Sequence, residues 1–217
     1  VRGDNSLWAW GYNGYGQLGD GTVVDKSSPV LVTGITGPYL SISGGFNHSA
    51  AVLSDGTVRT WGYNGYGQLG DGTTTNRYTP VAMTGISTAV KIACGDIHTV
   101  VLLSDGTIRS CGYNGQGALG DGTTATRVTP VAASGVTNGQ YIATFYRTSG
   151  VIKTTDGDIV CMTGDNGNGQ IGNSTNIDKT TYTCTDLTPP AVPTRTLQTN
   201  KLSNGYQHTV MIRGDGT

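Results

Sequence analysis

The sequence predicts an all-β protein, a β-propeller whose blades each hold four antiparallel strands. Three observations predict it. A thirteen-residue motif returns four times at near-constant spacing, the composition favours strands and turns over helices, and an Asp-Gly pair follows each apolar run. Repetition at about fifty residues marks stacked or radially arranged units, and four short strands in each unit is the propeller pattern.

The repeat comes first. Trp10–Thr22 reads WGYNGYGQLGDGT, and Trp61–Thr73 reads the same letters. Cys111–Thr123 reads CGYNGQGALGDGT, and Thr163–Thr175 reads TGDNGNGQIGNST. Successive copies lie 51, 50 and 52 residues apart, from position 10 to 61, 111 and 163. Pro29, Pro80 and Pro130 each precede a valine, and His48, His98 and His208 each stand at the start of an apolar run. In the third copy Ser149 stands where the histidine is expected. Asp55, Asp105, Asp156 and Asp215 each precede a glycine. The chain thus reads as one propeller region, 1–217, with repeats at approximately 4–54, 55–104, 105–155 and 156–214.

Within one period four strands follow in order. Pro80–Met83 starts the first, and Gly85 ends it. Val90–Ala93 is the second, His98–Leu103 the third and Thr107–Cys111 the fourth. Asp105-Gly106 between the last two signals a tight hairpin, because such turns need positive φ. The third strand is apolar on both alternating faces, Val100 and Leu102 on one and Val101 and Leu103 on the other. A strand covered on both sides has that pattern, and sheets stacked around an axis supply the cover. The fourth strand is more polar (Thr57, Val58, Arg59, Thr60 in the preceding copy), which predicts an outer position.

Composition agrees. All the acidic residues are Asp, and 35 residues are Gly. Aspartate favours caps and turns, and glycine weakens helix interiors. The net charge is −1, only 12% of residues are charged, and Lys and Arg form no run. Affinity for duplex nucleic acid comes from neutralising phosphates with clustered cations, so a nucleic-acid partner is not expected. No apolar stretch approaches the ~20 residues of a membrane helix, so no membrane span is expected. The chain opens without Met, which points to processing or to a start lying outside the sequence.

These residues carry a family resemblance. Gly45-Phe46-Asn47-His48-Ser49, Asp55-Gly56, Trp61-Gly62, Asn64 and Gly67-Gln68-Leu69-Gly70 together resemble the regulator-of-chromosome-condensation repeat. Cys111 and Thr163 depart from it at the Trp position, Ala118 at the Gln position, and Tyr146–Ser149 at the Gly-x-x-His segment. The resemblance implies a seven-bladed ring, for which roughly 360 residues would be needed at this period. The chain then supplies about four repeats of a longer propeller. A closed ring of four, with Leu7–Trp10 completing the last blade, is the alternative.

Candidate sites are weighed against the repeat itself. Gly14-x-Gly16-x-x-Gly19 matches a dinucleotide fingerprint, but that fingerprint works only between a strand and a helix. Here Asp-Gly-Thr follows and the pattern recurs, so no cofactor is expected. His48, His98 and His208 recur with the period, as structural residues do. Trp10, Trp61, Asp55, Asp105, Asp156 and Asp215 are assigned structural roles on the same ground. No catalytic or metal set stands outside the period, so no enzyme is expected. Cys94 and Cys111 read as buried thiols. Cys161 and Cys184 either form a disulfide, implying an oxidising compartment, or stay free. Arg2-Gly3-Asp4 and Arg213-Gly214-Asp215 resemble an adhesion tripeptide but occupy the hairpin slot that demands Asp anyway.

The loops remain. Tyr12, Tyr15, Tyr63, Tyr66 and Tyr113 recur beside the glycines; they either pack over the glycine loops or form a candidate binding set, since tyrosine is enriched at interfaces. The segments after each Gly-Thr vary most, and Arg77 and Arg127 within them are added to that set. The function expected is a non-catalytic protein-interaction or structural module, extracellular, at a cell surface or on a virion, with protein partners or neighbouring subunits. The alternatives are a proteinaceous inhibitor of a secreted enzyme and a nucleotide-exchange factor for a small GTPase, an activity the resemblance implies.

Overall fold

A computed structural model of the chain describes residues 4–153, 159–186, 201–204 and 209–212. Among them are sixteen strands and no helix. His208, Asp156 and Asp215 lie outside the described residues.

Strands β1 (Trp8–Gly11) and β2 (Lys26–Leu31) pair as a two-stranded sheet. Three four-stranded antiparallel sheets follow. The first holds β3 (Tyr39–Gly44), β4 (His48–Leu53), β5 (Val58–Gly62) and β6 (Arg77–Ala82). The second holds β7 (Ala89–Cys94), β8 (His98–Leu103), β9 (Ile108–Gly112) and β10 (Arg127–Ala132). The third holds β11 (Gly139–Phe145), β12 (Thr148–Lys153), β13 (Ile159–Gly164) and β14 (Lys179–Asp186). A last hairpin, β15 (Lys201–Asn204) with β16 (Thr209–Ile212), lies against β11 and β12.

The second strand of each sheet joins two cores. Val101 and Leu103 of β8 face Ala50, Val52, Ile92 and Met83 of the preceding interface. Val100 and Leu102 face Ile108, Val136, Val151 and Tyr182 of the next one. All six residues of β8 are buried, as the doubly apolar run predicts. Full burial of such a side chain contributes about 1.5–3 kcal/mol, so cohesion between blades rests on these strands. Leu7, Val32, Ile35, Ala51 and Trp61 make the equivalent core between β1–β2 and the first complete blade.

Four details differ from the sequence expectations. The outer strand is not the Thr57–Thr60 segment: β5 is largely buried, and β6 is the outer, more exposed strand. A blade therefore takes its outer strand from the next repeat; the boundaries at 54 and 104 fall within hairpins of the blades at 39–82 and 89–132, and the boundary at 155 lies outside the described residues. The outer strand also begins at Arg77, before Pro80. An edge strand tolerates that proline because it lacks a partner on one side. Third, Thr148 and not Ser149 takes the histidine position, since His48, His98 and Thr148 each open their strand. Fourth, β1 pairs with β2, and no ladder joins it to the last hairpin among the described strands.

Candidate binding face

Each loop between the third and fourth strands of a blade is organised by one asparagine. Asn64 is fully buried. Its Nδ2 donates to Asp71 Oδ1 (3.1 Å), Thr73 O (3.0 Å) and Thr75 O (3.1 Å), and its Oδ1 accepts from the Leu69 N–H (3.0 Å). Asn13, Asn114 and Asn166 act in the same way. The sequence reading missed this role. The signal was present, because asparagine stays in all four copies while Trp, Tyr, Gln and Asp around it change.

Arg77 and Arg127 belong to this loop frame. Arg77 Nε donates to Asp71 Oδ2 at 2.8 Å, and Arg127 Nε to Asp121 Oδ2 at 2.9 Å. Burial works against the Asp71 carboxylate, yet hydrogen bonds from Thr73 and Arg77 hold its pKa below the usual range. The two arginines clamp loops and do not join the tyrosines. Their spacing with the repeat reflects the aspartate six residues before each.

The histidines tie neighbouring blades together. His48 Nε2 lies 2.9 Å from Thr99 Oγ1, and Thr99 Oγ1 donates to Gln68 O at 2.7 Å. The threonine hydroxyl has one proton and spends it on Gln68, so His48 carries its proton on Nε2 and donates. His98 repeats the arrangement with Ser149, which donates to Ala118 O. Both rings are buried. Burial lowers the His98 pKa to about 4, and burial together with His98 lowers that of His48 to about 3. Both are neutral near pH 7 and closed off from solvent.

Trp61 is buried, and its Nε1 donates to Gln17 O of the preceding repeat's loop at 2.9 Å. Gly62 behind it has φ 103°, and a Cβ there would strike Asn47 O and His48 Cα. Trp10 occupies the corresponding position but is 63% exposed. No loop from an earlier repeat covers it among the described residues, so the packing seen at Trp61 is not repeated there. Asp55 and Asp105 lie in their turns, each accepting from the N–H and hydroxyl of the threonine two residues on. Cys161 and Cys184 face each other across β13 and β14 and form a disulfide. Cys94 and Cys111 are free and buried.

The five tyrosines come together. Their rings form a continuous edge-to-face ladder, Tyr12–Tyr15 (6.3 Å between centroids), Tyr15–Tyr63 (5.0 Å), Tyr63–Tyr66 (6.3 Å) and Tyr66–Tyr113 (5.2 Å). Such pairs add about 0.5–1.5 kcal/mol beyond area burial, which holds the rings in place without hiding them. Gly14, Gly65 and Gly115 give the rings room, since a Cβ at any of them would collide with the neighbouring tyrosine hydroxyl. Tyr12 and Tyr66 are exposed, and Tyr15, Tyr63 and Tyr113 are half-buried. Arg147 ends the ladder, its guanidinium 5.0 Å from the Tyr113 ring and 4.9 Å from the Tyr146 ring. The turns joining β3 to β4, β7 to β8 and β11 to β12 lie on the same face. The Tyr63 N–H donates to Asn47 O, and the Tyr113 N–H to Ile97 O.

Comparison with known proteins places this arrangement. Residues 4–52 and 55–102 match the profile of the Regulator of chromosome condensation (RCC1) repeat, and a second profile of that repeat matches 40–68 and 89–118. The ultraviolet-B receptor UVR8 of Arabidopsis thaliana is 34% identical over 98 residues, 44% of this chain and 22% of the receptor. The protein RCC2 homolog of Danio rerio is 36% identical over 98 residues, 44% of this chain and 20% of that protein. Among solved structures, human WBSCR16 superposes with a TM-score of 0.80 at 21% identity, covering 97% of this chain and 54% of its own. Prp20p of Saccharomyces cerevisiae superposes with a TM-score of 0.69 at 22% identity, covering 82% of this chain and 46% of its own. At these identities the structural matches speak to fold. The chain spans about a fifth of the two relatives' length and about half of the two solved chains.

Proposed function

The chain belongs to the regulator of chromosome condensation repeat family, and from that premise we propose that it is a non-catalytic module whose tyrosine face holds a protein partner. The observation that carries the reading is the ladder of five tyrosines. Tyrosine gives large amphipathic contact area and loses little entropy on binding. Here it stands on a rigid frame, and rigid frames carrying exposed side chains are the usual design for recognition. Prp20p, which shares this fold, is characterised by its binding properties to Gsp1p and histones.

The non-catalytic reading is supported by the state of the ionisable candidates among the described residues. His48 and His98 are sealed between blades, and Asp55 and Asp105 are engaged in turns. The Cys161–Cys184 disulfide favours an oxidising setting, and we place the chain at a cell surface, on a virion or outside the cell on that ground.

Partner capture with the intact protein tests the reading. Tyr63→Ser with Tyr66→Ser is expected to abolish capture, while Asp55→Asn, in a hairpin at the other end of the strands, leaves it unchanged. Capture that survives the tyrosine changes overturns the face. Release of labelled nucleotide from a small GTPase, or inhibition of a secreted enzyme, identifies what the partner is.

A further inference from the structure

The tyrosine face continues inward to a cleft where three successive blades present their inner turns. Its lining is Gly44-Gly45-Phe46, Cys94-Gly95-Asp96 and Phe145-Tyr146, and its volume is about 540 Å³. That size falls within the range of small-ligand pockets. Phe46 is 76% exposed and Phe145 is 38% exposed. The Asp96 N–H donates to Tyr146 O at 3.1 Å and so joins the second turn to the third.

Two features mark the cleft as more than a seam. Tyr146 is the first residue of the two-residue turn between β11 and β12, and its φ is 48°. Glycine favours that conformation, and a tyrosine held there is strained. The sequence accepts strain to place an aromatic ring at this point. The second feature is Asp96, the one charged residue among the described residues lining a cleft otherwise made of rings, glycine backbone and a buried thiol. Burial raises its pKa even though Arg147 nearby lowers it. Arg147 does not line the cleft. Its guanidinium rests over the Tyr113 and Tyr146 rings and donates to Gln116 Oε1 at 3.3 Å. The same face thus already seats one cation on aromatic rings, one of them Tyr146 at the rim of the cleft, and the cleft adds two further rings, Phe46 and Phe145, and a carboxylate.

We propose that this cleft receives a lysine or arginine side chain of the protein partner, between Phe46, Phe145 and Tyr146 and against Asp96. Aromatic rings attract cations through their negative faces, most strongly where water is excluded. The carboxylate adds a charge-assisted hydrogen bond. The inference rests on the partner-binding reading of the face, and its test does not need the partner.

The 217-residue chain, labelled with nitrogen-15, is titrated with four capped amino acids: N-acetyl methylamides of lysine, arginine, norleucine and aspartate. The lysine and arginine probes are expected to shift the Gly45, Gly95 and Tyr146 amides saturably, at least fivefold more tightly than norleucine. Asp96→Asn removes that preference. Tyr146→Gly weakens both cations at least threefold while the melting temperature stays level or rises, because glycine relieves the turn. A norleucine probe that binds as well as lysine makes the cleft an apolar slot and overturns the proposal. Preference for the aspartate probe assigns recognition to Arg147 and overturns it as well. Capture lost in the Tyr63→Ser, Tyr66→Ser protein with lysine-probe binding intact separates the ladder from the cleft, so either reading can fall alone.

Discussion

The histidines and the tyrosines recur with the same period, and the structure puts them in opposite environments. His48 and His98 are 1% exposed, each bonded across to the next blade. Tyr12 and Tyr66 are 58% and 39% exposed, on rings that touch mainly one another. Periodicity therefore identifies what every blade needs and does not say why. The histidines give a buried hydroxyl oxygen of the next blade a donor, while that hydroxyl satisfies a loop carbonyl. Two of the tyrosines, Tyr12 and Tyr66, leave much of their surface to solvent, which stability alone does not require. Variants that separate stability from binding sharpen or break this contrast.

Acid gives the largest expected effect: the histidines respond first, and the aspartates held low by loop hydrogen bonds, such as Asp71, follow at lower pH. The folded pKa values of the histidines are about 3 and about 4, against the ordinary 6.5. Below pH 6.5 the unfolded chain protonates both rings while the folded chain does not. Stability is therefore fully present above pH 6.5 and is lost as pH falls toward 4. Near pH 5 unfolding should take up about two protons, a slope of about 2.7 kcal/mol per pH unit. Urea melts between pH 4 and 7 measure it. His48→Gln with His98→Gln should flatten the curve over that range, and an unchanged slope would show that the histidines are not the cause.

Asn64→Ala comes next. It strands the buried Leu69 N–H and two loop carbonyls, and at 1–3 kcal/mol for each buried unsatisfied group the loss should be about 3 kcal/mol or more. Asn64→Asp keeps the acceptor for Leu69 but sets a carboxylate against Asp71, so it should rescue little. A loss under about 1 kcal/mol would mean that water replaces the side chain. His98→Ala removes one donor and leaves Ser149 bonded to Ala118 O. It should cost about 1–3 kcal/mol, and a melt unchanged within error would show that the relay is dispensable.

The fold was legible because repetition amplifies weak signals: one hairpin dipeptide means little, and the same one at each turn of a fifty-residue beat means a blade. Blade phase was not legible. The tight Asp-Gly hairpin advertises its pairing locally, whereas β5 and β6 pair across the long loop that Asn64 holds, and nothing in the letters shows that the outer strand belongs to the blade before it. The tyrosine set was visible as letters, but its continuity depends on distances between loops of different blades. Arg147 and Tyr146 were harder still. They sit where the third copy breaks its motif, and a broken motif reads as decay until the turn geometry shows a ring held in a glycine conformation.

The smallest stability effect is expected on the tyrosines, and it is the sharpest test of the contrast. Tyr66→Ser removes a ring that is 39% exposed and two edge-to-face contacts. Exposed sites away from buried networks usually move stability by under about 0.5 kcal/mol, and the two ring contacts raise that to roughly 1 kcal/mol. The paired change Tyr63→Ser, Tyr66→Ser should not exceed about 2 kcal/mol, less than Asn64→Ala alone, while removing partner capture. The two losses must be read on the same protein: urea melts for the frame, capture for the face. If the tyrosine pair destabilises as much as Asn64→Ala, the ladder is a structural seam like the histidine relay, and exposure has misled. If stability holds and capture fails, the same period has carried two kinds of residue, one that closes blades and one that meets a partner.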